Sequence, residues 1–167
     1  MSRSIATLLG IGLATISVGA PATAQRHKTV VVSAGVAGPT DEFASEVDPG
    51  WQLSAALDIP IGAEIGSLRV ELDYVRFGSL VTAQNPRMIP LLVSVVAEFP
   101  GTTVRPFLIG GTGIYHFRVS DPEFTDSKFG LNVGAGTVWR GVSLAGRYHS
   151  VFDRGDSYWT LTLGLRL

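Results

Sequence analysis

The sequence predicts an all-β fold: an eight-stranded antiparallel up-and-down β-barrel that spans a membrane, behind a cleaved N-terminal signal peptide. Three observations carry this reading. Apolar and polar residues alternate with a period of two along most of the chain after residue 28. The connections between the alternating segments are long and short by turns. The aromatic residues gather at or near the segment ends.

Composition narrows the alternatives. The chain has 167 residues, 20 of them glycine, and a formal net charge of -1. That length suggests one domain. A near-neutral balance gives no support for nucleic-acid binding, which would show as a basic patch or stripe. Cysteine is absent, which excludes a disulfide framework, a thiolate zinc site and a cysteine nucleophile. The mean hydropathy of +0.30 is rather apolar for a soluble domain and low for a bundle of membrane helices.

The N-terminus reads as a processing signal. Arg3 supplies positive charge, Ile5 to Val18 is apolar apart from small residues, and Ala22-Thr23-Ala24 has the small-x-small form of a cleavage site. Residues 1–24 are therefore expected to be removed, leaving 25–167 as the barrel domain. The apolar run is shorter than the ~20 residues of a spanning helix, which disfavours an uncleaved anchor.

The strands follow in order. Thr29 to Ala37 sets Val30, Val32, Ala34 and Val36 on one face. Trp51, Leu53, Ala55, Leu57 and Ile59 alternate with Gln52, Ser54, Ala56 and Asp58. Leu68, Val70, Leu72 and Tyr74 oppose Arg69, Glu71 and Asp73. Leu91 to Phe99 places Ser94 and Glu98 opposite an apolar set. Arg105 to Phe117 is glycine-rich and its register is ambiguous. Phe129 to Trp139 and Val142 to Phe152 alternate less regularly. The last strand has Trp159, Leu161, Leu163, Leu165 and Leu167 on one face and Tyr158, Thr160, Thr162, Gly164 and Arg166 on the other. A helix, with a period of 3.6, would scramble these sets.

The connections Gly38 to Gly50, Gly78 to Met88 and Ser120 to Ser127 are long and polar, and Asp153 to Ser157 is a shorter one at the same end. Those at the opposite end are mostly tighter: Pro60 to Gly66, Pro100 to Thr103 and Arg140-Gly141. Outer-membrane barrels pair long extracellular loops with short periplasmic turns. Both termini are then expected in the periplasm.

Rings at the headgroup level form two girdles in a membrane barrel. Trp51, Tyr74, Phe77, Tyr158 and Trp159 are expected at the outer girdle, with Tyr115, Phe117, Phe129, Tyr148 and Phe152 also near that rim. Phe99 and Trp139, with Phe107, are expected at the inner one. The polar strand face carries the acids Asp58, Glu71, Asp73 and Glu98 with Arg69, Arg105, Arg147 and Arg166. In a lipocalin-like soluble barrel that face would meet water. Balanced signs favour an inward face instead, because buried charges are tolerated when paired and an eight-stranded lumen is just wide enough for side chains to fill. Gly134, Gly136 and Gly164 on the same face are expected to make room for the arginines. The expectation is a closed, ion-paired interior rather than a pore.

The runs from Val93 to Gly101 and Val104 to Gly113 resemble strands four and five of small OmpA/OmpX-like outer-membrane barrels. Phe129 to Gly136 is similar to their sixth strand and Leu161 to Leu167 to their last. The resemblance covers about Thr29 to Leu167 and is specific for the barrel, not for an activity. It implies contact with outer-membrane lipid, assembly by the outer-membrane machinery through the C-terminal strand, and a monomer. One departure stands out: family members usually end in Phe, and this chain ends in Leu167. No peptidoglycan-binding domain is expected after the barrel, so the resemblance does not imply the wall-anchoring role of longer relatives.

Candidate chemistry is sparse. Arg154-Gly155-Asp156 sits in the last expected extracellular loop, where such a tripeptide can engage integrin-type receptors; an ordinary charged turn is the favoured reading, because three-residue motifs recur by chance. His149 and Ser150 invite comparison with lipid A deacylases, which carry a His and a Ser on the penultimate strand. Adjacent strand residues point to opposite faces, so the two side chains do not meet. The acidic loop residues, among them Asp48 and Asp126, lack an EF-hand pattern and read as solvated charge. No enzyme, cofactor or metal is expected. Function then divides among a structural or surface-interaction barrel, an adhesin using its loops for an unknown extracellular ligand, and a lipid-modifying enzyme.

Overall fold

The computed structural model describes residues 27–45, 47–61, 66–79, 86–120, 123–152 and 156–167. The expected signal peptide, 1–24, lies outside them, as do Arg154 and Gly155. Eight strands are present: β1 (Thr29–Thr40), β2 (Val47–Pro60), β3 (Gly66–Ser79), β4 (Arg87–Glu98), β5 (Val104–Ser120), β6 (Glu123–Trp139), β7 (Val142–Val151) and β8 (Ser157–Arg166). Each pairs antiparallel with the next, and β8 closes on β1 to complete the barrel. Within the barrel wall, closure gives every strand a partner on both sides.

The period-two pattern decides the two faces. On β2 the side chains of Gln52, Ser54, Ala56 and Asp58 are buried, while Trp51 and Leu53 are exposed. On β4, Met88, Leu92, Ser94 and Val96 point in, and Ile89, Leu91, Val93 and Val95 point out. The same rule resolves β5: Phe107, Ile109, Tyr115 and Phe117 are inside, Leu108 and Ile114 outside. Leucine and valine therefore form a continuous outer band, with Val133 and Leu163 as open as 62% and 60%. The charged and hydroxyl-bearing residues fill the lumen. This is the reverse of a water-soluble barrel and the arrangement of a membrane one.

Strand limits depart from the sequence reading at the loop end of the barrel. The expected connection from Ser120 to Ser127 is mostly strand: β5 and β6 stay paired from Val104↔Trp139 to Ser120↔Glu123. Pairing of β6 with β7 stops at Gly130↔Val151, so the hairpin projects beyond the closed wall. Val119, Phe124 and Thr125 favour an extended backbone despite the acids around them. In addition, β2 begins at Val47, with a register shift between Asp48 and Trp51. The first connection carries a short 3-10 helix, Asp41–Ser45.

At the turn end the Arg140-Gly141 connection is a two-residue hairpin turn. Both residues have positive φ, 50° and 84°. That is the backbone a type I′ turn requires, and Gly141 adopts it without a Cβ penalty. The start of β1 meets the end of the chain here as well: the Leu167 N–H donates to the Val30 carbonyl at 2.8 Å.

Candidate functional site: a sealed lumen

Strand register brings the lumen charges together in two groups. At the turn end, the Arg69 guanidinium grips Asp58 through two bonds, Nε to Oδ1 at 2.6 Å and a second N–H to Oδ2 at 2.8 Å. The cause is direct pairing of Asp58 with Arg69 across β2 and β3. Arg166, on β8, reaches the same Oδ2 at 3.1 Å and Glu98 at 2.6 Å. Arg105 closes the chain on Glu98 at 3.0 Å. Arg105, Glu98, Arg166, Asp58 and Arg69 thus alternate in sign around the mouth. All but Arg69 line an open cavity of about 410 Å³ at that end, together with neighbouring turn residues.

The second group lies deeper. Arg147 holds Glu71 through two bonds, 2.6 and 3.2 Å, across the lumen from β7 to β3. Both side chains are buried. Low dielectric strengthens such a bidentate pair and makes either partner costly to leave alone. Asp73 is in the same compartment but takes no part in an ion pair. Neither of its carboxylate oxygens has a hydrogen-bond partner among the described residues. The eight charges expected in one network therefore form two ion-paired groups with Asp73 left aside. Arg147 and Arg69 are already engaged by Glu71 and Asp58.

Above the charges the lumen is stoppered by rings. His149 stacks on Tyr158, centroids 4.4 Å apart and nearly parallel, and its Nδ1 lies 3.1 Å from the Tyr115 hydroxyl. Phe77 meets Tyr158 edge-on at 5.6 Å. Phe43, delivered by the 3-10 helix, meets Phe77 at 5.1 Å. A second apolar layer, Val96, Phe107, Ile109, Val138 and Ala145, fills the lumen between β4 and β7. No part of this stack was anticipated as a unit.

Five rim assignments are corrected here. Phe77 and Tyr158 are 2% and 0% exposed and point into the lumen, as do Tyr115, Phe117 and Phe107. The signal was present in the sequence. Phe77 shares parity with Arg69, Glu71 and Asp73, and Tyr158 with Thr160, Thr162 and Arg166, so alternation overrides proximity to a strand end. Trp51, Phe99, Trp139 and Trp159 are exposed on the outer surface. Tyr74 packs on Trp51 there at 5.4 Å.

The glycine expectation divides. Gly134 does make room for an arginine: a Cβ there would stand 2.7 Å from Arg147 Cγ. Gly136 instead accepts the ring of Phe107, and Gly164 lies against Ser143 and Ser33. Of the receptor tripeptide only Asp156 is described. It is 7% exposed, and its backbone carbonyl accepts from the Val151 N–H at 2.9 Å. His149 faces the lumen, whereas Ser150 lies on the opposite face of β7.

No family's sequence profile matches the chain, and no curated protein matches it. Solved structures do. Neisserial surface protein A (NspA) superposes with a TM-score of 0.68 at 17% identity, over 84% of this chain and 96% of that one. The outer membrane enzyme PagL gives 0.56 at 18%, over 82% and 98%. Ail, the attachment invasion locus protein of Yersinia pestis, gives 0.50 at 15%, over 85% and 100%. At such identities the likeness is one of fold, and the chain has the fold of the small eight-stranded outer-membrane β-barrels.

Proposed function

We propose that this protein is an outer-membrane barrel with a closed lumen, whose role is structural or interactive and is exercised by its loop end. The inverted polarity carries the reading: an apolar band faces outward on every strand while paired charges and rings fill the interior. Such a surface gains from lipid rather than from water. Solute conduction is disfavoured, because the ion pairs and the aromatic stopper occupy the lumen. The loop end is then extracellular and both termini periplasmic, with the signal peptide removed. Outer-membrane lipid and the assembly machinery, met through β8, are the partners this implies. The protein is read as a monomer that binds no nucleic acid.

Fractionation with surface proteolysis of intact cells tests the reading. The expected result is heat-modifiable migration in the outer-membrane fraction, cleavage in the first loop, and no large steady conductance after reconstitution. A soluble periplasmic protein would overturn it.

Two narrower readings are weaker. Receptor binding through Arg154-Gly155-Asp156 needs a free carboxylate, and Asp156 is buried; loss of host-cell adhesion in Asp156→Glu would revive it. Lipid modification of the deacylase kind needs a base and a nucleophile within reach of each other, and the opposed faces of His149 and Ser150 argue against that.

A further inference from the structure

Three arginines stand side by side on the outer surface at the loop end. Arg76 of β3 pairs in register with Arg87 of β4, and Arg87 pairs with Arg118 of β5. All three point outward, since their neighbours Val75, Phe77, Met88 and Phe117 are buried in the lumen. Like charges directly opposite one another across strands are destabilising. Among the described residues neither Arg76 nor Arg87 has an ion-pair partner. Asp48, the acid nearest on β2, pairs with Gly78 one step beyond the row.

The rows beneath the arginines change character in a definite order. One outward step toward the membrane centre lie Tyr74, Ile89 and His116, with the His116 ring hydrogen-bonded to Ser127 at 2.8 Å. One further step lie Leu72, Leu91 and Ile114, all at least half exposed. The surface therefore grades from cationic through amphipathic to apolar along a single strip. A phosphorylated lipid has the same order of parts: anionic headgroup, polar linkage, acyl chains. A guanidinium fork matches phosphate oxygens bidentately.

We propose that Arg76, Arg87 and Arg118 form a binding site for the phosphorylated headgroup of an outer-leaflet lipid, whose acyl chains lie along Leu72, Leu91 and Ile114. The continuity of the arginine row with the apolar band favours a lipid over a soluble polyanion. The site rests on the outer-membrane reading above. An anion bridging the Arg76 and Arg87 guanidinium groups offsets their mutual repulsion, and Arg118 extends the cationic row beside them.

The test uses the full chain purified in detergent and exposed to a diphosphorylated glycolipid, its phosphate-free form, inorganic phosphate and a soluble polysulfate. Lipid retained through detergent exchange is counted by native mass spectrometry. Retention of the phosphorylated form alone is expected, undisplaced by millimolar inorganic phosphate. The combined Arg76→Gln, Arg87→Gln and Arg118→Gln variant is expected to lose it by about tenfold or more. The single Arg87→Gln variant, which leaves two cations in place, is expected to lose part of it. Heat-modifiable migration should be unchanged in both, because the substitutions lie outside the packed lumen. Equal retention in folded wild type and variants overturns the lipid site alone, as does retention of the phosphate-free form. Full displacement by the polysulfate or by inorganic phosphate overturns the lipid assignment. A wild-type protein that stays soluble without detergent overturns the membrane reading and this site with it.

Discussion

Replacing Asp58 with alanine is expected to destabilise the barrel by about 3–5 kcal/mol, the range for stripping one partner from a buried ion pair. Asp58 is 3% exposed and accepts from two arginines at once, Arg69 at 2.6 and 2.8 Å and Arg166 at 3.1 Å. Alanine leaves Arg69 buried without an acceptor. It also cuts the alternating chain that links Arg166 to Glu98. Asp73 provides the contrast within the same lumen. It is equally buried but engages no cation, so Asp73→Asn removes no ion pair and should change stability by less than about 1 kcal/mol. Both variants are compared by denaturant titration of the detergent-folded protein, following tryptophan fluorescence and heat-modifiable migration together. Similar losses for the two would show that position in the lumen, not pairing, sets the cost.

Gly134→Val should be nearly as damaging, by about 3 kcal/mol or more, because it overpacks a closed wall. The added Cβ would meet the Arg147 stem at 2.7 Å and the Gly146 carbonyl of the neighbouring strand more closely still. Arg147 has little freedom to yield, since Glu71 holds its guanidinium from across the lumen. A backbone carbonyl inside a closed ladder yields even less. The same titration measures the loss, and near-normal stability would mean that the β6–β7 wall flexes. Gly110→Ala serves as a control. Gly110 lies on the next strand, where a Cβ meets nothing nearer than the Asn132 carbonyl at 3.9 Å.

Much of this architecture was legible because a strand's two faces are a local property. Side chains alternate whatever the partner strand does, so Leu161, Leu163 and Leu165 declare one face and Thr160, Thr162 and Arg166 the other before any pairing is known. Tight turns are equally local, as at Arg140-Gly141. The projecting β5–β6 hairpin was not legible in the same way. Polar residues such as Asp126 and Ser127 occur in loops and in solvated strands alike, and only the backbone ladder distinguishes the two. The girdle assignments of Phe77 and Tyr158 failed for a different reason. A ring near a strand end was weighed by its height along the barrel, while its parity already placed it inside.

By itself the sequence determined the eight strands, the two faces of each strand and the set of charges on the polar face. Only the closed barrel decided which charges meet. Arg147 finds Glu71 across 76 residues and Arg166 finds Asp58 across 108, because strand stagger and closure set who stands opposite whom. The same closure seats Phe43, Phe77, Tyr158 and His149 in one stack, and lines up Arg76, Arg87 and Arg118 on the outside. Contacts between distant strands depend on register summed around the whole barrel, and no single segment carries that information.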